Sequence, residues 1–211
     1  MSLLARSVVL AFGLCSLVTV SAAFAAEPSK PNIVFILADD FSKNLIGGAV
    51  LHESMPHVEQ MTIPTFLTDV MGALAYLRGL STTDRPTFIV GFCRGGTLAL
   101  HTGAEEFNLA GLIPFYAGLS RPVAGSKGST LEQAAKIRYP VLGLFGGADP
   151  GIPASEIEQL NQQLDTAGVA HHVEIYEGAP HSFFDRKYVE YAAASADAWT
   201  RILNFINTLA L

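Results

Sequence analysis

Short apolar runs alternate with amphipathic stretches from about residue 32 onward, and this alternation restricts the possible fold more than any other feature of the chain. The runs are rich in β-branched and aromatic residues, as strands are, whereas the stretches repeat apolar residues every three or four positions, as helices do. This order is typical of an α/β fold with a mostly parallel sheet and helices on both faces. The predicted strands are 32–37, 87–90, 109–116, 141–145 and 172–176, and the predicted helices are 64–78, 96–105, 153–168 and 188–209.

The composition is that of one folded domain. The chain has 211 residues, of which 50% are hydrophobic and 15% are charged, and hydrophobic cores usually divide only beyond roughly 250 residues. The net charge of −6, without any cluster of lysines and arginines, argues against a nucleic-acid partner, because phosphate binding needs such a cluster. In the last predicted helix, we expect core contacts from Tyr191, Trp199, Ile202, Leu203 and Ile206.

Residues 1–25 have the pattern of a signal peptide. Arg6 supplies a positive start, residues 8–20 are almost wholly apolar, and residues 23–25 read Ala-Phe-Ala, which suits a cleavage site. A retained membrane anchor is the alternative, because the apolar stretch approaches the roughly 20 residues that span a bilayer. The small residues and the polar residues 27–30 favour cleavage. We therefore expect a periplasmic or secreted mature protein without stable membrane association.

Cleavage of that signal leaves Cys93 as the one cysteine, because Cys15 lies within the signal. Export to an oxidising compartment favours disulfides, but one cysteine cannot form a disulfide within its own chain. The Cys93 thiol is therefore either buried and inert or used in chemistry.

Three polar residues each follow a predicted strand: Cys93 follows 87–90, Asp149 follows 141–145, and His181 follows 172–176. The carboxyl ends of parallel strands form the crevice in which open α/β sheets bind ligands, so these distant residues can meet there. Their order along the chain is nucleophile, acid, base, which is the order of α/β-hydrolases. The pattern predicts an α/β-hydrolase-type sheet with Cys93 as nucleophile, Asp149 as orienting acid and His181 as general base.

The sequence at 91–96 is Gly-Phe-Cys-Arg-Gly-Gly, a nucleophile-elbow pattern in which cysteine replaces serine. The glycines leave room for a sharp strand-to-helix turn, and the N-terminus of the following helix favours a thiolate. In such an elbow the backbone N–H of Arg94 is expected to stabilise an oxyanion. Each triad residue also has an ordinary explanation: a small buried Cys93, a turn-capping Asp149, and a surface or core His181.

From about residue 55 to the C-terminus, the chain resembles the dienelactone hydrolase family. The motifs are Gly-x-Cys-x-Gly-Gly at 91–96, Pro-Phe-Tyr at 114–116, Gly-Gly-Ala-Asp-Pro at 146–150, Tyr-x-Gly-Ala-x-His-x-Phe at 176–183 and Ser-x-Asp-Ala-Trp at 195–199. The resemblance implies a Cys-His-Asp triad, no cofactor, and hydrolysis of a small-molecule ester or lactone, as in carboxymethylenebutenolidases. It also implies that Arg94 and Arg186 bind a substrate carboxylate, although both can equally be solvated charges. The other histidines match no zinc pattern, so no metal is expected.

The N-terminal part differs from that family. Members have more strands before the nucleophile, and a loop there donates a second oxyanion N–H. Here we expect an abbreviated, atypical segment at 26–54 with one strand, followed by a dienelactone-hydrolase-like domain at 55–211. Residues 30–40 resemble instead the opening strand of sulfatases, but Cys93 lacks the Pro and Arg that follow in that family's modified-residue motif, so a sulfatase is not expected.

Together these features predict a hydrolase that cleaves an ester or lactone through a thioester on Cys93. Two alternatives stay open. A catalytically impaired binding protein on the same scaffold fits the abbreviated front of the domain. A thiol-dependent acyltransferase would use the same nucleophile and pass the acyl group to an acceptor other than water.

Overall fold

The computed structural model describes residues 32–38, 62–79 and 85–209, with the backbone alone described for 32–38. The predicted signal peptide at 1–25 lies outside these residues, as does most of the predicted segment at 26–54. Within the described ranges, no helix combines the length and the apolar character needed to cross a membrane.

Within the described residues, five strands form one sheet in which every neighbouring pair is parallel, which confirms the predicted sheet type. They lie side by side in chain order. The three middle strands are buried almost throughout, which explains why they read as continuous apolar runs rather than as alternating ones. The strands are β1 (Asn32–Ala38), β2 (Thr87–Cys93), β3 (Gly111–Phe115), β4 (Val141–Gly146) and β5 (His171–Tyr176).

The described helices are α1 (Ile63–Gly79), α2 (Arg94–Thr102), α3 (Thr130–Ala134), α4 (Ala154–Ala167) and α5 (Ala192–Leu209). Helices α1 to α4 contact one another in sequence, whereas α5 packs on β3 and β4. The contacts of two neighbouring residues of β3 show which helix lies on which face of the sheet. A Cβ on Gly111 would meet the ring of Phe205 in α5, whereas Leu112 lies against Gly103 at the end of α2. Because neighbouring strand residues face opposite sides, α2 and α5 cover opposite faces of the sheet.

Trp199 and Leu203 are not core residues, although both were predicted as packing residues of the last helix. In the structure 50% of Trp199 and 43% of Leu203 is exposed. Helix α5 packs instead through Ala198, Ile202 and Ile206, which recur every four residues. Residues 199 and 203 lie about 100° further round the same helix and therefore face outward.

Several boundaries differ from the prediction by a few residues, and one short helix was not predicted. Helix α2 begins at Arg94, directly after Cys93, rather than at 96, and α5 begins at Ala192 rather than at 188. Helix α3 was not predicted, although Ser129 and Glu132 form a capping box at its start. The Ser-x-x-Glu pattern is a sequence signature of a helix N-terminus, so this helix was within reach of sequence reasoning.

Candidate active site

Cys93 is the last residue of β2 and the N-cap residue of α2. Its φ of 52° lies in a region that L-residues rarely adopt, which costs about 1–3 kcal/mol. Two glycines make the turn sterically possible. A Cβ on Gly91 would lie 2.1 Å from the carbonyl oxygen of Gly95. One on Gly96 would lie 2.6 Å from that of Phe115. The strained turn has the form of a nucleophile elbow at the carboxyl edge of the sheet.

Asp149 is buried in the turn that follows β4. Its Oδ1 accepts a hydrogen bond from the N–H of Gly151 at 2.8 Å, and its Oδ2 accepts one from Nδ1 of His181 at 2.5 Å. Burial raises the pKa of Asp149, but the hydrogen bonds from His181 and Gly151 outweigh burial, so this pKa lies below its ordinary value. A charged Asp149 therefore holds His181 in the tautomer that carries a proton on Nδ1.

The side chain of His181 lies between Asp149 and Cys93 and hydrogen-bonds both. The bond to Asp149, followed by the bond to Cys93, raises the pKa of His181 to about 10 against the opposing effect of burial. On another side, the ring of Tyr116 packs against the imidazole, with ring centroids 4.9 Å apart. The structure thus brings the three predicted triad residues together.

A cavity of about 630 Å³ opens beside these three side chains. Part of its lining comes from residues 118–124, a loop that follows β3. In this loop Ser120 Oγ donates to Glu156 Oε1 at 2.7 Å, which ties the loop to the first turn of α4. At the other end, the N–H of Ile63 donates to the carbonyl oxygen of Ala124 at 2.8 Å. The loop is therefore held by both α4 and α1.

Arg94 and Arg121 line this cavity, whereas Arg186 is exposed and is not among the lining residues. The Nε atom of Arg94 is buried without an acceptor, and neither lining arginine forms an ion pair with a described residue. Arg94 is also the first residue of α2, where the backbone N–H has no acceptor within the helix. Across the described part of the chain, no three His, Cys, Asp or Glu side chains cluster as metal ligands.

A profile of the dienelactone hydrolase family matches residues 51–210, which is most of the chain. The chain belongs to the dienelactone hydrolase family.

Relatives carry a corresponding name. A proposed carboxymethylenebutenolidase from Synechocystis sp. is 29% identical over 153 residues, which cover 71% of this chain and 62% of that protein. Another from Saccharolobus solfataricus is 33% identical over 154 residues, which cover 70% of this chain and 53% of that protein. This dienelactone hydrolase family member therefore spans less than two thirds of the length of either relative.

Solved structures share the fold. A proposed dienelactone hydrolase from Klebsiella pneumoniae has a TM-score of 0.66 at 23% identity, covering 76% of this chain and 70% of its own. The dienelactone hydrolase-like promiscuous phosphotriesterase P91, from metagenomic libraries, has a TM-score of 0.65 at 18% identity, covering 87% of this chain and 88% of its own. At such identities the likeness shows the fold alone, and it confirms the predicted α/β-hydrolase-type architecture.

Sequence reasoning assigned no role to Tyr116, whose ring packs against the imidazole, or to Ser182, the residue after His181. Tyr116 follows β3 with a φ of 33°, and Ser182 follows His181 with a φ of 58°. Both are buried. Positive φ is rare for residues other than glycine, and its occurrence at these positions concentrates backbone strain around the site. The Pro-Phe-Tyr motif marked the position of Tyr116, but no local pattern predicts a positive φ at a tyrosine.

Proposed function

We propose that this protein hydrolyses the ester or lactone bond of a small molecule through a thioester on Cys93. One observation carries the proposal: His181 hydrogen-bonds both the carboxylate of Asp149 and the side chain of Cys93, beside a cavity at the carboxyl edge of the sheet. A nucleophile, a base in reach of it and a group that orients the base are the three parts of covalent acyl transfer. The family to which the chain belongs supports the same reaction class.

The reaction begins when His181 takes the thiol proton and the sulfur of Cys93 attacks the carbonyl carbon. The carbonyl electron pair moves to oxygen, and the oxyanion accepts a hydrogen bond from the backbone N–H of Arg94. One such donor contributes about 3 kcal/mol to the stability of the transition state. Collapse breaks the acyl C–O bond, His181 protonates the departing alkoxide, and the acyl group remains as a thioester. Water, deprotonated by His181, then attacks the thioester, which releases the acid and restores the thiol.

The charges around His181 support this sequence of proton transfers. Asp149 and Cys93 both favour the charged imidazole, which raises the pKa of His181 to about 10. A proton taken from the thiol is therefore held by an imidazole that Asp149 stabilises in its charged form. The same imidazolium then serves as the acid for the leaving alkoxide.

The substrate proposed for this cavity carries a carboxylate. Arg94 and Arg121 line the cavity without an ion pair to any described residue, so a substrate anion would supply the missing counter-charge. The predicted contact with Arg186 has less support, because Arg186 is outside the lining.

Export to the periplasm or beyond is a further proposal, which N-terminal sequencing of the mature chain would test.

The full chain should be assayed with a lactone, a neutral ester and a carboxylated ester. Cys93→Ala should abolish turnover, and the wild-type chain quenched during turnover should carry the acyl mass on the peptide containing Cys93. Glu106→Gln is a matched control, because it removes an exposed ion pair with Arg138 outside the cavity. Unchanged hydrolysis by Cys93→Ala would overturn the proposal. Transfer of the acyl group to an added alcohol or amine in preference to water would favour the acyltransferase alternative.

A further inference from the structure

Helix α5 contains three polar side chains, Ser195, Asp197 and Arg201, that take no part in the proposed reaction. All three bond to β5 or to the loop that carries His181. Ser195 Oγ donates to the carbonyl oxygen of Phe183 at 3.2 Å, two residues beyond the imidazole. Asp197 Oδ2 accepts hydrogen bonds from the hydroxyl of Tyr176 at 2.9 Å and from Nε of Arg201 at 2.6 Å. The helix therefore holds the chain on both sides of His181.

Tyr176, the last residue of β5, joins the two turns that carry the acid and the base. Its carbonyl oxygen accepts one hydrogen bond from the N–H of Gly147 at 2.8 Å, in the turn that leads to Asp149. It accepts a second from the N–H of Ala179 at 3.1 Å, in the loop that leads to His181. The carbonyl oxygen of Tyr176 therefore ties both turns to one point of the backbone, and the N–H of Ala148 also donates directly to the carbonyl oxygen of Ala179 at 2.9 Å.

The ring of Tyr176 also contacts the loop that carries His181. It packs against the ring of Phe183, with centroids 4.9 Å apart, and Phe183 is fully buried. Phe183 in turn lies 5.9 Å, centroid to centroid, from Tyr116, whose ring covers the imidazole. The carbonyl and the ring of Tyr176 thus act on the same loop, and its hydroxyl is held by Asp197.

Asp197 is itself fixed by Arg201, whose guanidinium also reaches Glu174 of β5 at 2.9 Å. The side chains of Asp197 and Arg201 are 47% and 34% exposed. Exposed pairs of this kind contribute little to overall stability because water screens them. Their effect is therefore expected in the geometry of the site more than in the stability of the fold.

We propose that Asp197 is a positioning residue: by holding the hydroxyl of Tyr176, it sets the loop that carries His181 in register with the turn that carries Asp149. The inference rests on the proposed function of the triad. A displacement of an ångström between catalytic groups can lower the rate by up to about 100-fold, so loss of the hydrogen bond between Asp197 and Tyr176 should have a measurable effect on the rate.

The test compares Asp197→Ala, Tyr176→Phe, their double variant and the control Glu106→Gln in the full chain. Tyr176→Phe keeps the ring and removes the hydroxyl. We expect either single variant to lower kcat about tenfold with KM changed less than about twofold, as for misplaced groups. Because both variants remove the same hydrogen bond, the double variant should be no slower than the slower single one.

A second readout does not depend on hydrolysis. The rate at which iodoacetamide alkylates Cys93, measured across pH, reports whether His181 is still held against the thiol. Both single variants should shift this profile, while thermal unfolding midpoints stay close to that of Glu106→Gln. Wild-type alkylation profiles in both variants would overturn the inference, as would a rate loss matched by the control. If the wild type alkylates rapidly but hydrolyses nothing, the proposed function fails, and the alkylation profiles still decide the role of Asp197.

Discussion

Nδ1 of His181 lies 2.5 Å from Oδ2 of Asp149, and this carboxylate is the largest cause of the raised pKa of the imidazole. Asp149→Asn keeps the shape of the side chain but removes its charge and presents an amide that favours the other tautomer. We expect the hydrolytic rate to fall by about 10³–10⁴-fold, as when the orienting acid of a triad is lost. Asp165→Asn is the matched control, since Asp165 is exposed and lies 3.9 Å from His171. Comparable turnover in the two variants would contradict the orienting role.

The same pair makes stability depend on alkaline pH. The pKa of His181 is raised from 6.5 to about 10 in the folded chain. The stabilisation is therefore complete below pH 6.5 and is lost as pH rises through about 10. Urea unfolding of the wild type between pH 6 and 10 should show a falling free energy of unfolding. Asp149→Asn should reduce this decline. An identical dependence on pH in both proteins would show that the His181–Asp149 pair does not cause it.

His101 should make the fold sensitive to acid. It is buried in α2, its Nε2 lies 3.4 Å from Oγ1 of Thr130, and burial lowers its pKa to about 4. Since the unfolded chain binds this proton near pH 6.5, stability is lost as pH falls from 6.5 to about 4, by roughly 3 kcal/mol. Denaturant unfolding across this range should show the loss. His101→Gln, which keeps a polar group near the Nε2 position, should remove most of that slope, whereas an unchanged slope would assign the acid sensitivity elsewhere.

The elbow should not tolerate a Cβ at Gly91. Gly91→Ala would place a carbon 2.1 Å from the carbonyl oxygen of Gly95, within backbone that cannot move without opening the turn. We expect a loss of more than about 3 kcal/mol, or failure to fold. Gly72→Ala, in the exposed part of α1 with open space around the added carbon, should instead stabilise by about 1 kcal/mol. The denaturant midpoints of the two variants check this: a loss at Gly91 with a gain at Gly72 shows a steric clash at the elbow, whereas a loss at both would show that replacing any glycine destabilises the fold.

The cavity arginines should select for substrate charge. Arg94→Gln and Arg121→Gln should each raise KM for a carboxylated ester by about tenfold or more, because each removes a charge-assisted hydrogen bond. The KM for a neutral ester of similar size should change little. Arg186→Gln tests the remaining prediction from the family resemblance, and Arg138→Gln is the surface control. Equal effects on both esters would show that these arginines shape the cavity without binding a carboxylate.

Local sequence was sufficient for the strands, for four of the five described helices and for the edge of the sheet at which the site lies. All five predicted strands are present; Cys93 ends one of them, and Asp149 and His181 each follow one. The strands and the sharp turn at Gly91 and Gly96 could be predicted from sequence, because both depend on residues within a few positions along the chain. The order of the three polar residues along the chain, nucleophile, acid and base, further favoured hydrolase chemistry, because it is the order found in α/β-hydrolases.

Only the tertiary structure decided which side chains from separate elements meet. It placed Arg121 in the cavity and Arg186 outside it, put the ring of Tyr116 against the imidazole, and turned Trp199 towards solvent. Each of these outcomes depends on how a loop or helix packs against elements distant in sequence. Periodicity specifies which face of a helix is apolar, but the exact rotation of that helix and the path of a loop are set by long-range contacts, which no local pattern encodes.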